Sequence, residues 1–128
     1  MPTPAAATPH RLFSYAACST CRKALSWLTA QGLHPGRDVL VVDITVTPPS
    51  EDDLRRALAQ LGRSRMFNTS GQSYRTLGAA TVKAMADDEA IAALAADGRL
   101  IKRPFLITAQ GDVVTGFNPE EWQPLLAR

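Results

Sequence analysis

The sequence predicts an α/β domain from three observations: a βαβ pattern near its start, a run of helical segments in its middle, and a ββα pattern at its end. Its 128 residues, 45% of them apolar, suit one globular domain with a real core. The expected boundaries are a tail over residues 1–9 and a single domain over residues 10–128. No internal repeat or second domain boundary is visible.

Met1 to Pro9 is a run of Ala, Pro and Thr with no periodic apolar face, and so reads as a frayed tail. Arg11 to Tyr15, with Leu12, Phe13 and Tyr15 close together, suits a short buried strand. Ser19 to Gln31 holds good helix formers with Leu25 and Leu28 three apart and Gly32 as a stop signal. Val39 to Ile44 is an apolar run of the kind a strand buried on both faces of a sheet shows, and it closes the βαβ unit. Ser50 with Asp53 resembles a capping box with Asp in place of Glu, and Leu54, Ala57, Leu58 and Leu61 then recur at helical spacing before Gly62. Arg63 to Arg75 shows no period and reads as a loop, which at this length is more often functional than idle.

Two alanine-rich helices are expected next, over about Gly78 to Ala86 and Asp87 to Ala96, the second with acidic residues at its positive end. Phe105 to Thr108 and Val113 to Thr115 flank a turn containing Gly111 and predict a hairpin. Asn118, Pro119, Glu120 and Glu121 form a strong helix start, with a cap, a proline at the first position and two carboxylates facing the dipole. Trp27 and Trp122 are most simply core aromatics.

Fourteen Lys and Arg against twelve Asp and Glu leave a net charge of only +2, with no run of like charge, so a surface built to seek nucleic acid is not expected. No stretch approaches a membrane span, and the start lacks the features of a signal peptide, so the expected location is cytoplasmic. The two cysteines, Cys18 and Cys21, are too few for a secreted disulfide scaffold and read as chemistry.

Cys18 falls where the first helix begins, and unpaired N–H groups and the positive helix end there stabilise a thiolate. Cys21, three residues on, returns beneath Cys18 on the same helix face. Arg22 can add a cation to that patch. Cys18 is then the attacking thiolate and Cys21 the resolving thiol, which makes a redox switch or an exchange catalyst with a redox-active disulfide. Zinc would need two further ligands, and neither His10, assigned to the tail, nor His34, beside Pro35, lies at finger spacing. A C-x-x-C opening a helix within βαβ signals a thioredoxin-like redox site but does not separate reductases, oxidants and sensors. Pro104, at the entry of the hairpin strand, can be an ordinary edge proline or a cis proline that exposes backbone to an extended substrate. Arg103 can be a solvated side chain or can hold an oxyanion beside the thiolate through its fork.

Four segments resemble the glutaredoxin-type arsenate reductase family, which also contains the Spx-type regulators of RNA polymerase. They are Cys-Ser-Thr-Cys-Arg-Lys-Ala from Cys18, Phe-Asn-Thr-Ser-Gly-Gln-Ser-Tyr-Arg from Phe67, Leu-Ile-Lys-Arg-Pro from Leu100 and Gly-Phe-Asn-Pro-Glu-Glu-Trp from Gly116. The resemblance implies a thioredoxin-like fold with a helical insertion over about residues 50–98, and a cis Pro104. It also implies departures. The arsenate reductases proper usually lack the second cysteine and hold arsenate with three arginines. Arg103 matches one of these, while Asn68 and Gly116 stand at the other two positions. Losing two bidentate cations should weaken binding of a doubly charged oxyanion unless Arg22, Arg75 or the loop N–H groups substitute. The Spx-type regulators carry the C-x-x-C followed by Arg-Lys-Ala and switch through its disulfide, but normally show Arg-Arg-Pro where this chain has Lys102, Arg103 and Pro104.

The loop Asn68, Thr69, Ser70 and Gly71 can form an anion-binding nest or contact the carboxylates of glutathione, or it can be a capped turn before a helix. The leading expectation is a monomeric thiol-disulfide oxidoreductase with Cys18, Cys21 and Arg103 catalytic and Arg22, Asn68, Thr69, Ser70, Gly71, Arg75 and Pro104 around the substrate. Glutathione would serve as co-substrate, and glutaredoxin or thioredoxin as partners, with no bound cofactor or metal. The alternatives are a redox-sensing regulator that binds RNA polymerase and a true arsenate reductase.

Overall fold

A computed structural model describes residues 9–127. The tail expected over residues 1–9 lies, apart from Pro9, outside the described residues. Strand β1 (His10–Ser14) leads through helix α1 (Ser19–Ala30) to β2 (Val39–Asp43), which pairs parallel to β1 with His10 opposite Val39 and Ser14 opposite Asp43. At the far end β3 (Phe105–Ile107) pairs antiparallel to β1, β4 (Val113–Thr115) pairs antiparallel to β3, and α6 (Pro119–Leu126) follows. The four-stranded sheet has the order β2-β1-β3-β4, so the central strand β1 feeds directly into the cysteine turn.

Alternation along these strands divides the core into two layers. Leu12, Leu106 and Val114 face the helices α1 and α6, where they meet Ala24, Leu28 and Trp122. Phe13, Phe105, Ile107 and Val113 face the other way. Trp122 is fully buried, donates its indole N–H to the Gly116 carbonyl at 3.0 Å, and packs edge-on against Phe117 and Trp27. Asn118 caps α6 through its side-chain oxygen on the Glu120 N–H at 3.0 Å.

The second layer is covered by the segment between β2 and β3. It contains α2 (Glu51–Leu61), a 3-10 turn at Arg63–Arg65, α3 (Gln72–Leu77), α4 (Ala79–Ala84), α5 (Asp87–Ala96) and a 3-10 turn at Gly98–Leu100. Leu54, Ala57, Ile91 and Leu94 carry its buried face. Ser50 caps α2 by accepting the Asp53 N–H at 3.1 Å, but the Asp53 carboxylate does not close a capping box. It takes both arms of the Arg11 guanidinium at 3.0 Å each and so ties α2 to β1. Gly98 is required by close approach, because a Cβ there would overlap the Ile44 carbonyl.

Three expectations need correction. The apolar run at β2 is not buried on both faces: β2 is an edge strand whose Leu40 and Val41 remain 49% and 38% exposed. Its Val-rich composition reflects strand propensity, which an edge strand shares with a central one. Arg63 to Arg75 is not a plain loop, since it contains the first 3-10 turn and the start of α3, which begins at Gln72 well before Gly78. Pieces of one or two turns are too short to show a period, and side chains anchor them instead. Arg63 donates to the carbonyls of Val82 and Met85 at 2.6 Å each, and Arg65 to that of Thr115 at 2.7 Å. Finally, His10 belongs to β1 and not to a tail; its Nδ1 accepts the Ala109 N–H at 2.9 Å, and burial holds its pKa below the ordinary value.

Among the described residues, no helix is long and apolar enough to cross a membrane.

Candidate active site

After β1 the chain turns through Tyr15 to Ala17, and the Cys18 N–H closes the turn on the Tyr15 carbonyl at 3.0 Å. Cys18 is the N-cap of α1, with extended backbone, and its sulfur accepts the Cys21 N–H at 3.4 Å. A thiolate at this position takes up one of the orphan donors of the first helical turn. Cys21 lies one turn on, wholly buried, and both cysteines are free thiols.

The two sulfurs are tuned in opposite directions. Partial burial pushes the Cys18 thiol up, but the Cys21 N–H, then the Cys21 side chain, then the hydrogen bond and charge of Arg103 outweigh it, so its pKa lies below the ordinary thiol value. Burial first, then the Cys18 side chain, push Cys21 above that value against weaker help from the Tyr15 backbone and Ser14. The pair is thus biased in opposite directions, the half-exposed Cys18 toward its thiolate and the buried Cys21 toward its protonated thiol.

Arg103 approaches from the segment before β3. Its guanidinium stacks 5.0 Å over the Tyr15 ring, and the Arg103–Pro104 bond is cis. The neighbouring backbone is held by a ladder with the loop, in which Asn68 N–H meets the Leu100 carbonyl at 2.8 Å and Lys102 N–H meets the Met66 carbonyl at 2.9 Å. Arg103 Nε is buried and has no hydrogen-bond partner.

The remaining sequence candidates fall in different places. Arg22 donates to the Ala16 carbonyl at 2.8 Å, which braces the cysteine turn, so the cation on the Cys18 sulfur is Arg103. Asn68 directs its amide to the Arg99 carbonyl at 3.4 Å, and the Gly71 N–H returns to the Asn68 carbonyl at 3.3 Å, which makes a closed turn. Arg75 clasps that turn by donating to the Ser70 carbonyl at 2.9 Å. Thr69 faces a separate, mostly apolar recess with Phe67, Tyr74 and Val82. Gly71, by contrast, borders a recess of about 110 Å³ with Tyr15, Gln72, Ser73, Arg99 and Arg103. Arg99 was not visible as a candidate in the sequence. It belongs to no motif, and only the 3-10 turn at Gly98–Leu100 brings it to the same recess as Arg103.

At Gly116, a Cβ would meet Lys102 Cε at 3.3 Å, so the lysine chain fills the space where a larger side chain would leave the backbone. Among the described residues, no group of three or more His, Cys, Asp or Glu side chains is placed to hold a metal ion.

A four-stranded sheet joining βαβ to ββα, with a cysteine capping the first helix and a cis proline before the third strand, defines a thioredoxin-like protein. The chain belongs to the ArsC family, whose model matches residues 13–125. The uncharacterized protein YusI of Bacillus subtilis is 37% identical over 113 residues, covering 85% of this chain and 91% of that protein. An arsenate reductase of Escherichia coli is 31% identical, covering 73% of this chain and 64% of that one. The regulatory protein MgsR of Bacillus subtilis is 26% identical, covering 85% and 83%. Among solved structures, an ArsC family related protein from Bacteroides fragilis superposes with a TM-score of 0.80 at 34% identity, covering 93% of this chain and 98% of that chain.

Proposed function

We propose that the chain is a cytoplasmic thiol-disulfide oxidoreductase in which Cys18 attacks and Cys21 resolves. The arrangement that carries this is Cys18 at the helix N-cap, its sulfur accepting the Cys21 N–H and its pKa held below the ordinary thiol value, over a buried Cys21 held above it. In the first step the Cys18 thiolate attacks a substrate disulfide, forms a mixed disulfide and expels one substrate thiolate. Cys21 then gives up its proton and attacks the Cys18 sulfur, which releases the second substrate thiolate and leaves a Cys18–Cys21 disulfide. The substrate gains two electrons and the protein loses two. Glutathione, glutaredoxin or thioredoxin would restore the dithiol, and no bound cofactor takes part.

Arsenate fits the site less well. Of the three arginines that the resemblance asks for, only Arg103 is present, Asn68 is spent on the Arg99 carbonyl, and the space over Gly116 is filled by Lys102. A regulatory role gated by the same disulfide, with RNA polymerase as partner, is the second reading, and the likeness to the regulatory protein MgsR favours it.

The test is intact mass after exposure to oxidised glutathione. Cys21→Ser should accumulate a glutathione adduct, wild type should pass through it to an internal disulfide, and Cys18→Ser should form neither. A persistent adduct on Cys18→Ser would contradict the assignment.

A further inference from the structure

Resting on the oxidoreductase reading, we infer that Arg99 and Arg103 form a clamp for a carboxylate, so that the preferred substrates are small acidic thiols and their disulfides. Three observations converge. A recess of about 110 Å³ that shares Tyr15 and Arg103 with the cysteine turn is lined by two arginines, Arg99 and Arg103, with Ser73 and Gln72 adding neutral polar groups. Arg103 has a buried Nε–H with no partner, which leaves one donor of its fork unsatisfied. The Arg99 guanidinium, among the described residues, makes no hydrogen bond or ion pair of its own. Its charge acts only weakly on Asp43, whose carboxylate is already taken by the Thr45 N–H and hydroxyl at 2.9 and 2.7 Å.

Size sets the ligand class. A recess of about 110 Å³ admits a carboxylate and the few carbons behind it, but not a protein loop. Arg103 lines the recess and also favours the Cys18 thiolate, so an acid held there would meet the same arginine that tunes the attacking sulfur. Planar forks suit carboxylates in two-point contact, and a second cation both strengthens the hold and selects for charge. Arg99 is then a specificity residue for this recess.

The first arm of the test compares two chromogenic disulfides, the acidic dithiobis(nitrobenzoate) and the uncharged dithiodipyridine, each corrected for release by Cys18→Ser. In Arg99→Gln the acidic-to-uncharged rate ratio should fall about fivefold, as loss of one charge-assisted contact at a partly exposed site implies, and Arg99→Lys should recover part of it. An unchanged ratio would overturn the clamp, and a merely structural role for Arg99 would slow both probes alike. The second arm uses S-methylglutathione, which carries the carboxylates but cannot exchange. Arg99→Gln should weaken its calorimetric binding by a similar factor, whereas equal binding by the two proteins overturns the clamp whether or not exchange occurs. Failure of wild type to release either chromophore through Cys18 would instead count against the oxidoreductase reading, with the binding arm still deciding the clamp.

Discussion

Replacing Arg103 with Gln removes a cation and a hydrogen bond from the Cys18 sulfur and leaves the Cys21 N–H in place. A hydrogen bond to a charged group contributes about 1.5–3 kcal/mol when well shielded. Both partners here are only partly buried, so solvent screening brings the expected loss to about 1–1.5 kcal/mol. This moves the Cys18 titration to higher pH and lowers its thiolate fraction over the range in which it titrates. The alkylation rate should fall less, by about two- to threefold, because a more basic thiolate is also more nucleophilic. The fraction can be read from the ultraviolet absorbance of the thiolate as pH is varied, with Cys18→Ser subtracted, and the rate from iodoacetamide labelling of the Cys18 peptide. The sign is fixed: the titration must move to higher pH, because the variant loses only groups that favour the anion. A titration that stays in place, in a variant whose melting curve remains cooperative, would refute the role given to Arg103.

Gly98→Ala should destabilise the fold by at least about 3 kcal/mol in urea unfolding, the upper range for overpacking, because the added methyl meets the fixed Ile44 carbonyl. Near-wild-type stability would show that the approach of the second 3-10 turn to residue 44 is wrong. The Arg65 hydrogen bond, ahead of its charge, holds the Glu121 carboxyl below its ordinary value. That pair should contribute about 1 kcal/mol, discounted for its partial exposure. The contribution is complete above the unfolded carboxyl value of about 4.3 and is lost as pH falls through the lower folded value, so Glu121→Gln should cost stability at pH 7 and little in acid. Equal loss across that range would contradict the pairing. In a coupled assay with glutathione, glutaredoxin, glutathione reductase and NADPH, arsenate should give no oxidation above the Cys18→Ser blank. Robust Cys18-dependent turnover would show that this site binds the oxyanion without the missing arginines.

Much of this architecture is written in local pattern. The cysteine turn, the Gly32 stop and the Asn118-Pro119 helix start act through backbone geometry within a few residues, and all three appear where the pattern places them. What escaped local reading depends on long-range contacts. Whether the Val39–Asp43 run is central or at an edge is decided by which strands pair with β1, a choice that the run itself does not encode. The short turns between Arg63 and Leu77 are fixed by arginines bonded to carbonyls in other elements, as Arg63 is to Val82 and Met85. The site divides in the same way. Cys18 and Cys21 are close in sequence and legible from their spacing, whereas Arg99 gains meaning only when the turn after α5 carries it to the recess that Arg103 shares. Arg22 shows the converse: its spacing from Cys18 is right for a helix face, but a nearer acceptor, the Ala16 carbonyl, takes its guanidinium.

The most direct test of the central claim is the order in which the two thiols react. Reduced wild-type protein would be treated with less than one equivalent of iodoacetamide at neutral pH, quenched, and mapped by peptide mass. A stabilised thiolate at the helix start over a buried, protonated partner predicts label almost wholly on Cys18, with Cys21 labelled only after unfolding. Equal labelling of the two, or label first on Cys21, would contradict the division of attacking and resolving roles on which the proposed function rests.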